Sequence, residues 1–404
     1  MSQVNYDFQL FNTQGQYIRS LEGIIEATFG RSKNEIGLCE ITVPAELYND
    51  TDFLIDNQLL ILRQNEVTGN FDNIGQTKWF LRTIIYTIDE QCVENVELTF
   101  TDTIGLLQRR PIPYLQLDQS NSPSQVALEE ADDAMKSVLY WNIGANVDGS
   151  IPATVPDPGT YVAQGPIGAV ATVYGSAALR DQHRPFPIII SAYESLGVPI
   201  NSTYEFITTL DALINFADLA KAQNQNIWFD IIYDQNTDTY RFVTWVNRRG
   251  QDLSESVFVG PDFSNLTNAT YTIDATNSCD IAYVSGSGQG ALKLVGAATE
   301  GLNEDKPFRP IECIINDTQL DLQASVDSQA LIEVANRRTE PIIEGEVLNI
   351  LGTRMFVDIN YGDILTADWR GVQYPIEIYE FSVSLTNEGE EIEIPFRELI
   401  EPFN

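Results

Sequence analysis

The chain has 404 residues, of which 23 are basic and 58 acidic, giving a formal charge of −35. That balance excludes a generic phosphate-binding surface and would be repelled by an anionic membrane, while 43% hydrophobic and 10% aromatic residues argue against disorder. The length suits two or three domains, no apolar run of about 18 residues marks a membrane helix, and the opening Met-Ser-Gln-Val-Asn-Tyr-Asp-Phe lacks the features of a signal peptide.

Residues 1–112 read as strands. Tyr6 to Phe11 alternates with period two, and Cys39 to Val43 and Gln58 to Leu62 follow. Trp79 to Ile88 places Ile84, Tyr86 and Ile88 on one face, and Val96 to Phe100 alternates after a polar turn. Ile104 to Gln108 makes one helical turn before Arg109-Arg110, with Pro111 and Pro113 marking a boundary. Ser122 as N-cap and Pro123 at the first helical position predict a helix to about Leu139. Residues 144–190, rich in Gly, Pro, Ala and Thr, read as a long irregular loop.

Pro187 to Ala192 is an apolar strand. Thr208 opens a helix to about Ala222, with Leu210, Leu213, Ile214, Ala217 and Ala220 at helical spacing. Ile227 to Tyr233 and Tyr240 to Trp245 flank a polar turn as a hairpin. Strands resume near residue 270. Ala324 to Arg338 is a helix stopped by Pro341, with Val326, Ala330, Leu331, Val334 and Ala335 on one side. The remainder reads as strands ending in Ile392 to Phe396.

Two stretches echo each other. With one gap, Ile84, Tyr86 and Ile88 fall on Tyr379, Phe381 and Val383, while Val96, Leu98 and Phe100 fall on Ile392, Ile394 and Phe396. Upstream, Gln58-Leu59-Leu60 matches Asp363-Ile364-Leu365. This reads as a duplicated β unit with α+β material inserted between the copies. The fold class expected is α+β, mostly β, with units at 1–112, 113–184, 185–262 and 263–404, the first and last being the β units.

The sequence resembles the hub proteins of phage tail tips and baseplates, the minor tail proteins of long-tailed phages. The resemblance is carried by Leu81 to Tyr86, Val96 to Leu107 with Arg109-Arg110, Phe229 to Gly250, Asn265 to Gly288 and Tyr361-Gly362-Asp363. It implies two tube-forming antiparallel β-barrel-like domains per chain, and three chains in a pseudo-sixfold ring that continues the tail tube and passes DNA at ejection. Partners implied are the tail-tube or distal tail ring, the tape-measure protein and tip, spike or fibre proteins. The place implied is the distal end of the virion tail, after assembly in the host cytoplasm. The acidic charge then acquires a reason, because carboxylates on a tube wall offer phosphates no partner. Glu97, Glu390, Glu391 and Glu393, on outward faces and tips of the two hairpins, are the candidate surface and lumen acids.

Catalytic chemistry finds little support. Cys39, Cys92, Cys279 and Cys313 stand far apart with no paired spacing, and His183 is the only histidine, so no zinc set and no histidine-based triad is expected. All four cysteines read as free thiols, in keeping with a reducing cytoplasm. Ser285 to Gly290 lacks the Gly-Lys-Ser/Thr of a phosphate loop and reads as a glycine turn between strands. Glu388 to Glu393 lacks the spacing of a calcium loop and reads as a hairpin tip. Asp230, Asp234 and Asp238 are a weak candidate acid set, and the arginine doublets 109–110, 248–249 and 337–338 read as ion-pair partners. No cofactor or metal is expected. The alternative to a structural hub is a tail-associated cell-wall or polysaccharide hydrolase or adhesin, which would need a convergent polar cluster with aromatic platforms.

Overall fold

The computed structural model describes residues 4–49, 51–88, 92–112, 125–143, 146–148, 187–204, 207–273, 275–299, 310–318, 320, 322–337 and 341–399. Its first unit is antiparallel: β1 (Tyr6–Phe11), β2 (Tyr17–Ser20), β3 (Glu26–Ser32), β4 (Leu38–Pro44), β5 (Gln58–Gln64), β6 (Phe71–Asn73), β7 (Trp79–Ile88) and β8 (Glu94–Thr101). Period-two alternation sends Ala27, Phe29, Cys39, Ile41, Val43, Val96, Leu98 and Phe100 inward, all buried. The sheet curls until Phe8 of β1 meets Phe29 of β3, ring centroids 6.3 Å apart. A single turn, α1 (Gly105–Gln108), leads out of it.

The next unit holds β9 (Gln125–Glu130), α2 (Ala131–Ile143), β10 (Asn146–Val147), β11 (Ile188–Ile190), β12 (Pro199–Thr203), α3 (Thr209–Ala222), β13 (Ile227–Asp234) and β14 (Thr239–Val246). The helix expected from Ser122 starts instead at Ala131. Gln125 to Glu130 is drawn into a ladder with β12, and Asp132 and Asp133 cap the 194–197 loop, accepting from the Gly197 amide at 2.7 Å and the Glu194 amide at 3.1 Å. Ser122 itself, His183 and residues 149–186 of the expected loop lie outside the described residues. The helix from Thr208 is as expected. Its hydroxyl accepts from the Asp211 amide at 3.1 Å and the Asp211 carboxylate accepts from the Thr208 amide at 3.2 Å, a reciprocal cap. The hairpin β13–β14 also forms as expected, with β11 parallel to β14.

The last part comprises β15 (Phe258–Val259), β16 (Leu266–Ile273), β17 (Ile281–Ser285), β18 (Val295–Thr299), β19 (Glu312–Asn316), α4 (Gln323–Asn336), β20 (Pro341–Val347), β21 (Ile364–Trp369), β22 (Val372–Glu377), β23 (Glu380–Thr386), β24 (Gly389–Glu393) and β25 (Pro395–Glu398). The glycine run does form the turn between β17 and β18. Gly286 is required there, since a Cβ would stand 2.5 Å from the Leu320 carbonyl oxygen. On α4, Val326, Ala330 and Val334 are buried as expected but Leu331 is exposed, and Ile332 turns toward the preceding unit instead.

The echo is a repeat of topology. One sheet contains the order β1-β5-β7-β8-β4-β3, the other runs β15-β21-β22-β25-β20-β16. Ranked along the chain, both read first, fourth, fifth, sixth, third, second. The copies differ at one seam: β1 pairs antiparallel with β5, whereas β15 pairs parallel with β21.

The hairpin of the last copy is spliced across both sheets, where the sequence reading kept each hairpin within its own unit. Its base, β22 and β25, stays in the second sheet, while β23 and β24 continue into the first, with β23 paired to β3 from Glu380↔Ser32 to Leu385↔Ala27. Gly30 permits this approach, because a Cβ there would lie 2.6 Å from the Phe381 carbonyl oxygen. One core of buried side chains therefore runs through both sheets, from Phe8 and Phe29 to Phe381, Ile394 and Phe396. Phe381 and Val383 are 0% exposed, but Tyr86 and Ile88, also expected inside, are 55% and 66% exposed. The hairpin registers explain the difference. Tyr86 faces Val96 as Val383 faces Ile392, so Tyr86 corresponds to Val383, two residues from the sequence alignment, and Val383 is the one that lies in a strand paired to β3.

The cysteine expectation is corrected. Cys279 and Cys313 form a disulfide, Cα atoms 5.9 Å apart, while Cys39 is buried and free and Cys92 exposed and free. Parallel pairing of β17 with β19 puts Cys313 opposite Ala282, beside the residue that enters β17, and linear spacing does not reveal this. A loop of 34 residues closed this way restricts the unfolded chain by about 3–4 kcal/mol in the chain-entropy account. Denatured without reductant, the chain is expected to show two reactive thiols, rising to four after reduction. Four in both states would contradict the pairing.

Candidate functional site

The expected acids divide. Glu97, Glu391 and Glu393 are exposed on the outer face of the first sheet. Ladder pairs set them in rows: Glu391, Ser384, Thr28, Glu40, Thr99 and Thr83 follow one another across six strands. Beside that row, Glu97 pairs with Thr42, which pairs with Glu26. These rows contain acids and hydroxyls and no Lys or Arg. Glu26 and Glu40, exposed on the same face, went unnamed in the sequence reading. Their alternation in β3 and β4 was the available signal.

Glu390 is corrected. It faces the other way, where Arg63 of β5 donates to it from Nε at 2.8 Å and Nη2 at 3.0 Å, and the Tyr6 hydroxyl donates as well. Burial, and then the Glu390 charge, push the Tyr6 hydroxyl well above its ordinary range. This forked pair ties β24 to β5 and β1, at the other end of the strand order.

Where the two sheets meet the inserted unit lies a buried charge cluster. Arg31 of β3 donates to Asp102 at 2.9 Å, to the Gly75 carbonyl at 2.6 Å, and to both oxygens of Asp230 at 2.6 and 2.9 Å. Arg249 reaches Asp230 at 2.9 Å and lies 4.3 Å from the Tyr361 ring centroid. Burial pushes Asp102 up to about 6 against the pull of Arg31. At Asp230, burial acts upward too, but Arg31 and Arg249 outweigh it and hold the carboxyl below its usual range. Two residues along, Lys33 pairs with Glu377 at 3.0 Å, and Glu377 also accepts from the Trp228 indole at 2.7 Å. Burial lowers Lys33 to about 8.

The weak acid set does not converge. Asp230 is in the cluster, Asp234 caps its own hairpin turn by accepting from the Asn236 amide at 2.9 Å, and Asp238 faces Lys78 at 3.5 Å. Among the arginine doublets, Arg249 is the partner of Asp230, while Arg248 and Arg337 pair locally with Asp252 and Glu333. A cleft of about 560 Å³ beside the tip of β7 and β8 is lined by Tyr48, Phe53, Tyr86, Val93 and Val96 among others. Among the described residues, no group of three or more His, Cys, Asp or Glu is placed to hold a metal.

Removing Arg31 leaves two buried carboxylates without their main partner. Arg31→Met is therefore expected to destabilise the chain by about 3–5 kcal/mol in urea unfolding. A loss within about 1 kcal/mol, the scale of an exposed pair, would show that the cluster does not hold the units together.

No protein-family model matches the chain, and no curated protein matches it. Among solved structures it is similar to the 43 kDa tail protein of prophage MuSo2 from Shewanella oneidensis, at TM-score 0.52 and 11% identity, covering 96% of this chain and 97% of that one. It is also similar to the tail protein from Neisseria meningitidis MC58, at TM-score 0.51 and 11% identity, covering 98% and 97%. At this identity the likeness is one of fold, along nearly the whole of each chain: the protein has the fold of these tail proteins.

Proposed function

We propose that the protein is a structural hub of a phage tail tip or baseplate. Three copies form a pseudo-sixfold ring that continues the tail tube and passes DNA at ejection, at the distal end of the virion tail. The observation that carries this reading is the repeated strand order within one chain, since two like units in each of three chains make six similar wall segments under closed cyclic symmetry. In this reading each curled sheet is a barrel-like wall domain, and the inserted α+β units decorate the ring. The full-length likeness to tail proteins supports it.

The acid and hydroxyl rows support the wall role. Glu26, Glu40, Glu97, Glu391 and Glu393 face the lumen in this account, and sliding phosphates meet repulsion and weak hydroxyl contacts rather than cations. The ring stacks on the tail-tube or distal tail ring, encloses the tape-measure protein, and carries tip, spike or fibre proteins below. The part is structural, with no reaction assigned.

Two measurements test this. Light scattering and electron microscopy of the purified protein should show a trimer with a central hole. With Glu97, Glu391 and Glu393 all changed to Lys, the ring should still assemble, bind duplex DNA at low salt and slow ejection from reconstituted particles. Normal ejection and no DNA binding by an intact reversed ring would show that these acids are not the lumen wall.

A further inference from the structure

In the ribbon of β9 and β12 one residue is out of step. Asn201 pairs with Ala127 and Ile200 with Glu129, so Leu128 is skipped as a bulge. Its φ is +52°, in the left-handed region that a bulky apolar residue rarely takes, and its amide donates to the Asn201 side chain at 3.0 Å. The bulge inverts the strand's pattern. Leu128 is 75% exposed, while Glu129 is 7% exposed and sits opposite the buried Ile200.

Glu129 is poorly housed there. The Ser137 hydroxyl of α2 donates to its Oε1 at 2.6 Å, but Oε2 is buried with no hydrogen-bond partner. The charges that face it are acidic: Glu130 on its own strand, and Asp132 and Asp133 on α2. Lys136 of α2 donates to Asp132 at 3.4 Å and Asp133 at 3.2 Å, and not to Glu129. From the segment before β12, Tyr193 brings a phenol 3.4 Å from the Ser137 hydroxyl, and Glu194 is exposed. The strand β12, Pro-Ile-Asn-Ser-Thr, brings no charge. Burial, against the Ser137 hydrogen bond and with the neighbouring acids, pushes Glu129 up to about 7.

A one-residue slip corrects both faults. With Leu128 opposite Ile200 and Glu129 opposite Pro199, the strand runs without a bulge, Leu128 turns inward, and Glu129 turns outward beside an exposed residue. The pairs from Gln125 to Ala127 stay as they are. The freed residue passes to Ala131, where strand meets helix and the amide donates to the Val198 carbonyl at 2.9 Å. Both flanks are held: Asp132 and Asp133 fasten α2 to the 194–197 loop, and Ser328 of α4 donates to the Asn201 carbonyl at 3.0 Å.

We infer that β9 has two registers against β12, a bulged one with Glu129 protonated inside and a straight one with Leu128 inside and Glu129 ionised in water, and that the proton on Glu129 selects between them. The bulged form binds the proton more tightly. The ratio of bulged to straight therefore falls about tenfold per pH unit between the ordinary value of 4.5 and about 7, and is constant outside that window. Acid displays Leu128 on the surface of the inserted unit, and neutral pH withdraws it.

The test uses the full chain with Cys92→Ser, to remove the exposed thiol, and two cysteine pairs. Glu130→Cys with Pro199→Cys reports the bulged register, and Glu130→Cys with Val198→Cys the straight one. Both are oxidised at pH 5 and pH 8, with Glu129 and with Glu129→Gln, and the rates are compared as a ratio of the two pairs at each pH, which cancels thiol ionisation. With Glu129, the ratio of the first cross-link to the second should fall about a hundredfold from pH 5 to pH 8. With Glu129→Gln it should not change. An unchanged ratio with Glu129 present, in a chain that circular dichroism shows to be folded, would overturn the inference. Loss of the first cross-link at pH 8 without gain of the second would overturn it too, since β9 would then leave β12 rather than slip. Leu128→Gly relieves the left-handed backbone and removes the apolar side chain, so it should keep the first cross-link at both pH values; a slip as complete as with Leu128 would overturn the part given to that residue.

Discussion

Everything in the molecule depends on one hairpin serving two sheets. The strand formed by β22 and β23 leaves the second sheet at Glu377 and enters the first at Glu380, and the return strand from β24 to β25 crosses back at Ile394. Neither sheet keeps its burial without it. Phe381 and Val383 cover the first sheet, while Ile376 and Phe396, on the same hairpin, cover the second. The backbone of β3 must let β23 come close, which is why Gly30 stands at the contact.

Charge is arranged around this splice. The chain has few cations, and it places Arg31, Lys33, Lys78 and Arg63 inside, against carboxylates, where each is almost fully covered. Glu26, Glu40, Glu97 and Glu391, which they do not neutralise, face outward in rows with serine and threonine. Burying the cations costs desolvation, which the forked geometry at Asp230 and Glu390 offsets. The gain is registry: Arg31 and Lys33 pin β3, the inserted β13 and the crossing hairpin at one point. The acidic outer face is therefore a product of the same arrangement that locks the units together.

Much of this was legible in the chain. Alternation located the strands around Phe8, Ile41 and Leu98, the Thr208 and Asp211 cap located a helix start, and the turn at Asp234 located a hairpin. The echo of Val96-Leu98-Phe100 in Ile392-Ile394-Phe396 exposed the repeat, because inward faces keep their spacing when a unit is copied. What stayed hidden depended on contacts distant in sequence. Ser122 and Pro123 look like a helix start, but the strand partner of the next six residues lies at 199–203. Cys279 and Cys313 become neighbours only when β17 and β19 pair. Glu390 reads as a tip acid until Arg63 is placed against it, and period two alone cannot tell Phe381 from Val383 as the counterpart of Tyr86.

If the splice is the constraint on which the rest depends, the hairpin cannot open by itself. Native-state hydrogen exchange resolves this, since elements that open independently exchange at their own lower free energy. The account predicts that the amides of Phe381 to Leu385 exchange together with those of Ala27 to Arg31 and with Leu365 and Ile376 of the second sheet, all through global unfolding. Faster exchange of Phe381 to Leu385 while both sheets stay protected would contradict it.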